Sequence, residues 1–297
     1  MTKAKVIDRL WTVILYIVSI LVVVLLAIFI IYILYTGRNC FDMNFLFGDP
    51  KIGEAGGGIA PQLFNSFYML IVSLAISVPF GVGAGIYLSQ YAKDGFLVRI
   101  IRISIEAIAA LPSIVVGLFG LLVFVNMTGW GFTLLGGALA ITILNLPSLT
   151  RVSENAITAA AEGIKEASLG LGATKWQTIC KVILPTAFPQ ILTGIILAAG
   201  RIFGEAAALL YTAGMSAQHL NFGTANLLTG KSPFSLFRSA ETLAVYIFQL
   251  NSEASIPDAA KIASGASAVL IIMVLIFNIG ARILGKKFHE KYTGKNN

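Results

Sequence analysis

From Leu10 to Tyr35 the chain runs 26 residues without one charged side chain. A helix needs about 20 predominantly apolar residues to cross the roughly 30 Å hydrocarbon core of a bilayer. This segment is long enough to span it and too apolar to stand in water. Phe64–Tyr91, Val98–Val125, Phe132–Leu149, Phe188–Ala213 and Ile262–Leu284 read the same way. Inside lipid every backbone N–H and C=O must be satisfied within the protein, and a helix satisfies them within one segment. The expected fold class is therefore an all-α integral membrane protein with six transmembrane helices. Composition agrees, since only 12% of the 297 residues are charged, against about 25% in ordinary soluble domains.

Lys3, Lys5 and Arg9 precede the first run, as in a secretory leader. A leader's apolar region is only about 7–15 residues and ends at a small-residue cleavage site; neither holds here, so the run is expected to stay as an anchor. With the N-terminus inside, the cytoplasmic segments collect Lys93, Arg99, Arg102, Arg151, Lys165, Lys175, Lys181, Arg282 and the lysines of the tail. The outer segments keep only Arg38, Lys51, Lys231, Arg238 and Lys261. Positive charge favours the cytoplasmic side, which puts both termini there. The net charge of +7 is thus a topology signal, and no nucleic-acid partner is expected. Residues 36–63 and 214–261 become long outer loops, and 150–187 a long cytoplasmic one. The apolar residues of SLFRSAETLAVYIFQL suggest an amphipathic helix at the outer surface. No internal repeat is visible, which weighs against inverted-repeat transporters.

Several chemistries are excluded. Cys40 and Cys180 lie far apart in different surroundings, so neither a disulfide framework nor a zinc site is indicated. Gly230-Lys231-Ser232 imitates the end of a phosphate-binding loop, but Ala225 stands where the first glycine is required. Ser216 and His219 give no triad geometry, and no HExxH occurs. The chain is not expected to be an enzyme or to hold a metal or cofactor.

The loop RVSENAITAAAEGIKEASLGLGATKWQTICKVILPTAFP reads as helix to Ser168, a turn through Gly170 and Gly172, and a second helical run ended by Pro185. Ala156, Ile157, Ala160 and Ile164 recur at helical spacing, a small apolar face suited to docking on a partner. Gly172 permits the positive φ that a tight turn needs. The order Glu166-Ala167-Ser168, Gly172, Val182, Leu184-Pro185 closely resembles the EAA motif of the membrane-spanning permeases of ATP-binding-cassette importers, with Ser168 in place of the third-position alanine. LPSIVVGLFGLLVF at 111–124, NLPSLTRVSENAI at 145–157, GRIFGEAAALLYTAG at 200–214 and SPFSLFRSAETLAVYIFQLNSE at 232–253 are similar to phosphate-importer permeases of the PstA type; the resemblance covers residues 60–285.

Arg201 and Glu205 stand out because they interrupt the fifth apolar run. An arginine at a membrane centre costs about 2.5–3.5 kcal/mol by insertion scales. At i, i+4 spacing the two share a helix face and are expected to neutralise each other, either as a buried structural pair or on an anion's path. The resemblance implies the second: PstA-like permeases carry the same Arg-x-x-Gly-Glu pattern, linked there to phosphate passage. Arg102 and Glu106 read as a structural i, i+4 pair. Gln62, Asn65 and Asn145 are expected either to line a polar path or to satisfy backbone groups freed by prolines. The glycines of GVGAG and VGLFG, and the Gly200/Gly204 pair, are expected to serve close helix packing.

The resemblance implies a permease (MetI-like) fold in a bacterial or archaeal plasma membrane. Residues 1–60 would form the first helix and outer loop, 61–287 the permease core and 288–297 a basic tail. It further implies one subunit of a phosphate importer, with a PstC-type partner permease, two PstB-type ATPase subunits carrying ATP and Mg, and a PstS-type binding protein.

Overall fold

The computed structural model describes residues 3–51, 55–93, 95–216, 219–220, 232–253 and 256–293. Their architecture is α-helical: α1 (Lys3–Gly37), α2 (Met43–Phe47), α3 (Ala60–Ile86), α4 (Phe96–Ala109), α5 (Ser113–Gly120), α6 (Leu134–Ala161), α7 (Ile164–Gly170), α8 (Lys175–Thr178), α9 (Leu184–Gly204), α10 (Ala207–Leu210), α11 (Leu243–Glu253) and α12 (Ala259–Thr293). Gly230 and Lys231, and the tail beyond Thr293, lie outside the described residues.

Five helical stretches are long and apolar enough to cross a membrane: Ile7–Cys40, Ala60–Tyr91, Leu134–Ala161, Lys175–Gly204 and Ala259–Lys287. The remaining expected span, Val98–Val125, is broken. Phe96–Ala109 and Ser113–Met127 meet at 101° and make a sixth crossing only if the bent pair counts as one. Pro112 is the cause. It lacks an N–H and pushes the residue before it out of the helical region; its own ψ of 141° leaves it as the non-helical cap of α5.

The centre of the fold is the seam between α3 and α6. A Cβ on Gly137 would lie 3.0 Å from the Met69 Cε, one on Gly81 2.8 Å from the Leu149 Cβ, and one on Gly85 2.6 Å from the Ser153 Cβ. Each step of four along α3 is matched by a step of four along α6, so the two helices run parallel in fixed register. In that register Ser73 and Ser77 fall opposite Ile141 and Asn145, and Pro79 is level with Pro147. Small residues at every fourth position let the backbones approach, as expected for Gly81 and Gly85. Gly83 points elsewhere and meets nothing within 4 Å.

Around the seam, Phe203 of α9 sits edge-on to Phe67 of α3 and Phe277 of α12. α1 touches α12 and the turn after it, with Gly37 against Ser264 and Ala268; its apolar body is uncovered within this chain.

The segment expected as a surface amphipathic helix is neither wholly helical nor superficial. Helix begins only at Leu243, and Ala240–Tyr246 are buried. The preceding backbone is needed elsewhere. Leu134 N and Leu135 N donate to Arg238 O and Leu236 O, and Thr133 N to Thr212 O, while Thr133 Oγ1 accepts from Gly136 N. These bonds satisfy N–H groups that the start of α6 would otherwise leave orphaned.

Overpacking a tight interface costs about 1–3 kcal/mol. Gly85→Leu is therefore expected to lower the melting temperature and membrane abundance of the protein, whereas Gly83→Leu is expected to leave both near wild type. Thermal unfolding of the two variants in detergent checks this; equal losses would contradict the register.

Candidate functional site

The first candidate region is the loop after α6. α6 ends at Ala161 and the chain reverses through Gly163 at φ +73°, earlier than the Gly170–Gly172 turn expected from sequence. α7 then carries Glu166, Ala167 and Ser168, and Gly172 turns the chain at φ +85°. Thr174 and Gln177 form a reciprocal capping box that starts α8, a signal legible in the sequence as Thr-x-x-Gln. The second run does not end at Pro185. It continues through a π-helical turn, Ile179–Ile183, into α9. The wider i→i+5 turn accommodates a residue that has no N–H to donate.

The expected docking face is redistributed. Ala156 and Ile157 are buried against Ile179, Ile183, Ala187 and Ile191, with Ala160 beside them, so they close the hairpin instead of meeting a partner. What remains uncovered is Ile164, Leu169, Leu171 (90% exposed) and Trp176. Two contacts that sequence reasoning missed stiffen this loop. The Ser168 hydroxyl is 2.9 Å from the Thr178 hydroxyl across the turn, a bond that alanine could not make. The Lys175 Nζ sits 4.3 Å over the Tyr91 ring, tying the loop to the π-helical turn Tyr87–Tyr91 that follows α3.

The second region surrounds Arg201. The ion pair expected with Glu205 is absent, because α9 stops at Gly204 and Glu205 leaves the helix at φ −75°, ψ 120°. Four-residue spacing then no longer places both side chains on one face. Arg201 Nη1 donates to Leu144 O at 3.2 Å, and Glu205 Oε1 accepts from Ala208 N at 3.2 Å. Leu144 lies ten residues into α6. At about 1.5 Å per residue that is about 15 Å, half the thickness of a hydrocarbon core. The arginine's partner therefore lies within the Leu134–Ala161 stretch, while α9 ends just beyond Arg201 itself.

Arg201 is also exposed within this chain. Thr186, Gln190, Thr193, Leu197, Arg201 and Gly204 recur every three or four residues and are all uncovered, while Ala187, Ile191, Gly194, Ala198 and Ile202 are buried. Gly200 and Gly204 meet nothing within 4 Å, so the packing expected of them is not made within this chain. α9 thus shows a polar, small-residue stripe with a cation at mid-depth, facing away from its own subunit.

The other charged and polar residues are structural. Arg102 pairs with Glu154 at 2.6 Å and Arg151 with Glu106 at 3.2 Å, so the Arg102–Glu106 pair expected along α4 is replaced by two cross-helix pairs to α6. Asn145 is buried in the seam rather than lining a path. Gln62 Nε2 donates to Glu241 Oε2, and Asn65 Nδ2 to Glu241 O, both at 2.9 Å. Arg238 Nη2 donates to Asn65 Oδ1 at 2.7 Å, which clamps the buried segment 232–242 to α3. Among the described residues no group of His, Cys, Asp and Glu is arranged to hold a metal.

A polytopic helical bundle with an exposed apolar loop on one side and a deep cation on an uncovered helix face has the organisation of a membrane transport subunit. The chain belongs to the family of binding-protein-dependent transport system inner membrane components, whose model matches residues 77–293. It is 50% identical over 262 residues to the probable ABC transporter permease protein YqgI of Bacillus subtilis, covering 88% of this chain and 89% of that one. It is 31% identical over 245 residues to the phosphate transport system permease protein PstA of Yersinia pestis, covering 81% and 77%. Among solved structures it resembles a chain of a bacterial alginate ABC transporter (TM-score 0.64, 15% identity, 98% and 99% covered). It also resembles a chain of the MetNI methionine ABC transporter in an inward-facing conformation (TM-score 0.56, 19% identity, 78% and 94% covered). The fold is that of ABC importer permeases, and such chains are the membrane component of their systems, not the enzyme.

Glu241 gives the clamp between residues 232–242 and α3 a pH dependence. Burial raises its carboxyl from 4.5 to about 7, against the opposing bond from Gln62. Gln62 Oε1 and Glu241 Oε1 both lack a hydrogen-bond partner, and a proton on Glu241 supplies the donor these acceptors need. The folded state therefore holds a proton that the unfolded chain has released. Stability from this group is greatest below about pH 4.5, falls as pH rises to about 7 and is level above. Glu241→Gln mimics the protonated acid. Its melting temperature relative to wild type is expected to be near zero difference at pH 4.5 and to rise towards pH 7.5; a difference independent of pH would refute the assignment.

Proposed function

We propose that this chain is the PstA-type permease subunit of an ATP-driven inorganic phosphate importer. It would form half of the translocation pathway beside a homologous PstC-type permease. The observation that carries this reading is Arg201, a mid-depth cation with free N–H groups on a helix face that its own subunit leaves uncovered. A guanidinium offers five donors in a planar fork suited to phosphate oxygens. One neutral carbonyl partner leaves most of them available. Glu205, four residues after Arg201 in sequence and held by Ala208 N, would set a negative charge just beyond the end of that helix so that the anion is released as well as bound; a conducting site must bind weakly enough to let go.

The loop side would face the cytoplasm, as would both termini. The exposed apolar residues of 164–176 would insert into a groove on a PstB-type ATPase subunit, a helix-in-groove contact, with ATP and Mg held there. Closure of two such subunits would drive α7, and with it the loop end of α6, to turn the pathway outward towards a PstS-type binding protein. Support for phosphate comes from the PstA relatives. A permease of the same fold for another anion, or the PstC-type partner, is the alternative; the name of the Bacillus subtilis relative states no substrate and decides for neither.

Labelled-phosphate uptake by the whole transporter tests the reading, with other anions as competitors. A charge-assisted hydrogen bond is worth about 1.5–3 kcal/mol, so Arg201→Gln is expected to lower uptake about 10- to 100-fold at normal membrane abundance. Glu205→Gln keeps an oxygen for Ala208 N and is expected to lower uptake through loss of charge alone. Unchanged uptake in Arg201→Gln would sink the proposal.

Gly172 tests the coupling loop separately. Its left-handed conformation costs an L-residue about 1–2 kcal/mol, and a β-branched side chain more, although the space around it is open. Gly172→Val is expected to leave ATP hydrolysis running without uptake; normal uptake per ATP would count against the assignment.

A further inference from the structure

The hydrogen bond made by Arg201 among the described residues goes to the backbone of α6, and it lands where that helix is weakest. Pro147 brings no N–H, so the Ile143 carbonyl loses its ladder partner and is crowded by the ring. The next carbonyl along is that of Leu144, the one Arg201 holds. Beside it, Asn145 is 1% exposed and its Nδ2 has no partner.

The same weakness occurs at the same level of α3. Pro79 removes the ladder bond to Ala75, and Ser77, opposite Asn145 in the seam, is fully buried with an unpartnered hydroxyl. On the loop side of this level the two helices are fastened together by Gly81 against Leu149, Gly85 against Ser153 and the 2.8 Å contact of the Ser89 and Thr158 hydroxyls. On the other side they are fastened to the buried segment by Arg238, Asn65 and the capped start of α6. Two rigid halves thus meet at a pair of level prolines, and α7 hangs from the end of one half.

We propose that Arg201 is a latch on this hinge: its guanidinium holds the Leu144 carbonyl until an anion draws it away, freeing the loop-side halves of α3 and α6 to swing as one unit. The proposal rests on the reading of Arg201 as an anion ligand and adds what the anion does on arrival. Binding across both terminal nitrogens of the fork would turn Nη1 off the Leu144 carbonyl, because bonds between ionised partners are shorter and about twice as strong as the 3.2 Å bond to a neutral acceptor. Substrate at the arginine would then be what lets movement of the loop reach the pathway.

Hydrogen exchange of the intact transporter in nanodiscs, followed by mass spectrometry over residues 141–150, tests this with and without inorganic phosphate and with sulfate as the control anion. In wild type, phosphate is expected to speed exchange of this stretch about fivefold, the equilibrium worth of one ordinary hydrogen bond. Arg201→Gln is expected to exchange at the faster rate already and not to respond. Pro147→Ala restores a ladder bond and is expected to exchange slowly with or without phosphate and to import poorly; Pro79→Ala gives the same comparison should Pro147→Ala fail to assemble. Phosphate import that depends on Arg201 while exchange ignores phosphate would overturn the latch and leave the anion reading standing. Import indifferent to Arg201 would overturn both.

Discussion

Everything else in the structure is placed by the contact between α3 and α6. Gly81 and Gly85 let the two backbones meet so closely that a methyl group on either would collide with α6, and that closeness fixes a register over several turns. α9 packs against both, with Gly194 against Val152 of α6 and Phe203 against Phe67 of α3. α5 lays Gly117 directly on the backbone of Ala208, the residue whose N–H the Glu205 carboxylate holds. Without that register neither the depth of Arg201 nor the direction its helix face takes would be defined.

Much of the fold was legible because the membrane imposes a coarse rule. Apolar runs of span length located five crossings, and the EAA spacing located the loop. The rest depended on tertiary accounting that no local pattern displays. Pro112 breaks one span, while Pro147 and Pro79 sit inside helices that continue; the sequence around them does not say which. SLFRSAETLAVYIFQL, residues 235–250, has an amphipathic pattern, yet before Leu243 its backbone is consumed in capping α6 and its side chains in clamping α3. Arg201 was found from its incongruity alone. An apolar run that reads as helix to Ala213 puts Glu205 on the arginine's face, but Gly204 ends the helix one residue before it. The exposed stripe Thr186–Gln190–Thr193 stands in the sequence at i, i+4, i+7 spacing, but the apolar average of the run hides it.

The two sides of the molecule are built differently. At the side opposite the loop, a fully buried hydrogen-bond network with a carboxyl raised towards neutrality holds backbone that is not helical. At the loop side, surface ion pairs between α4 and α6 and a cation over Tyr91 hold elements that remain largely exposed. Exposed ion pairs contribute little to stability, about 0–1 kcal/mol each. On the loop side α3 and α6 stay fastened to each other while α4 is held only lightly, an arrangement suited to movement of the loop relative to a fixed end.

On the proposed reading, the uncovered face of α9 lines an aqueous path at mid-depth. The most direct measurement replaces Cys40 and Cys180 with serine, introduces cysteine singly at Thr193, Leu197 and Ile202, and follows labelling by a small water-soluble thiol reagent in the assembled transporter. Reaction at 193 and 197, slowed by phosphate, with none at the buried 202, is the predicted result. A face that stays unreactive in the assembled transporter would place α9 against lipid or protein and contradict the account.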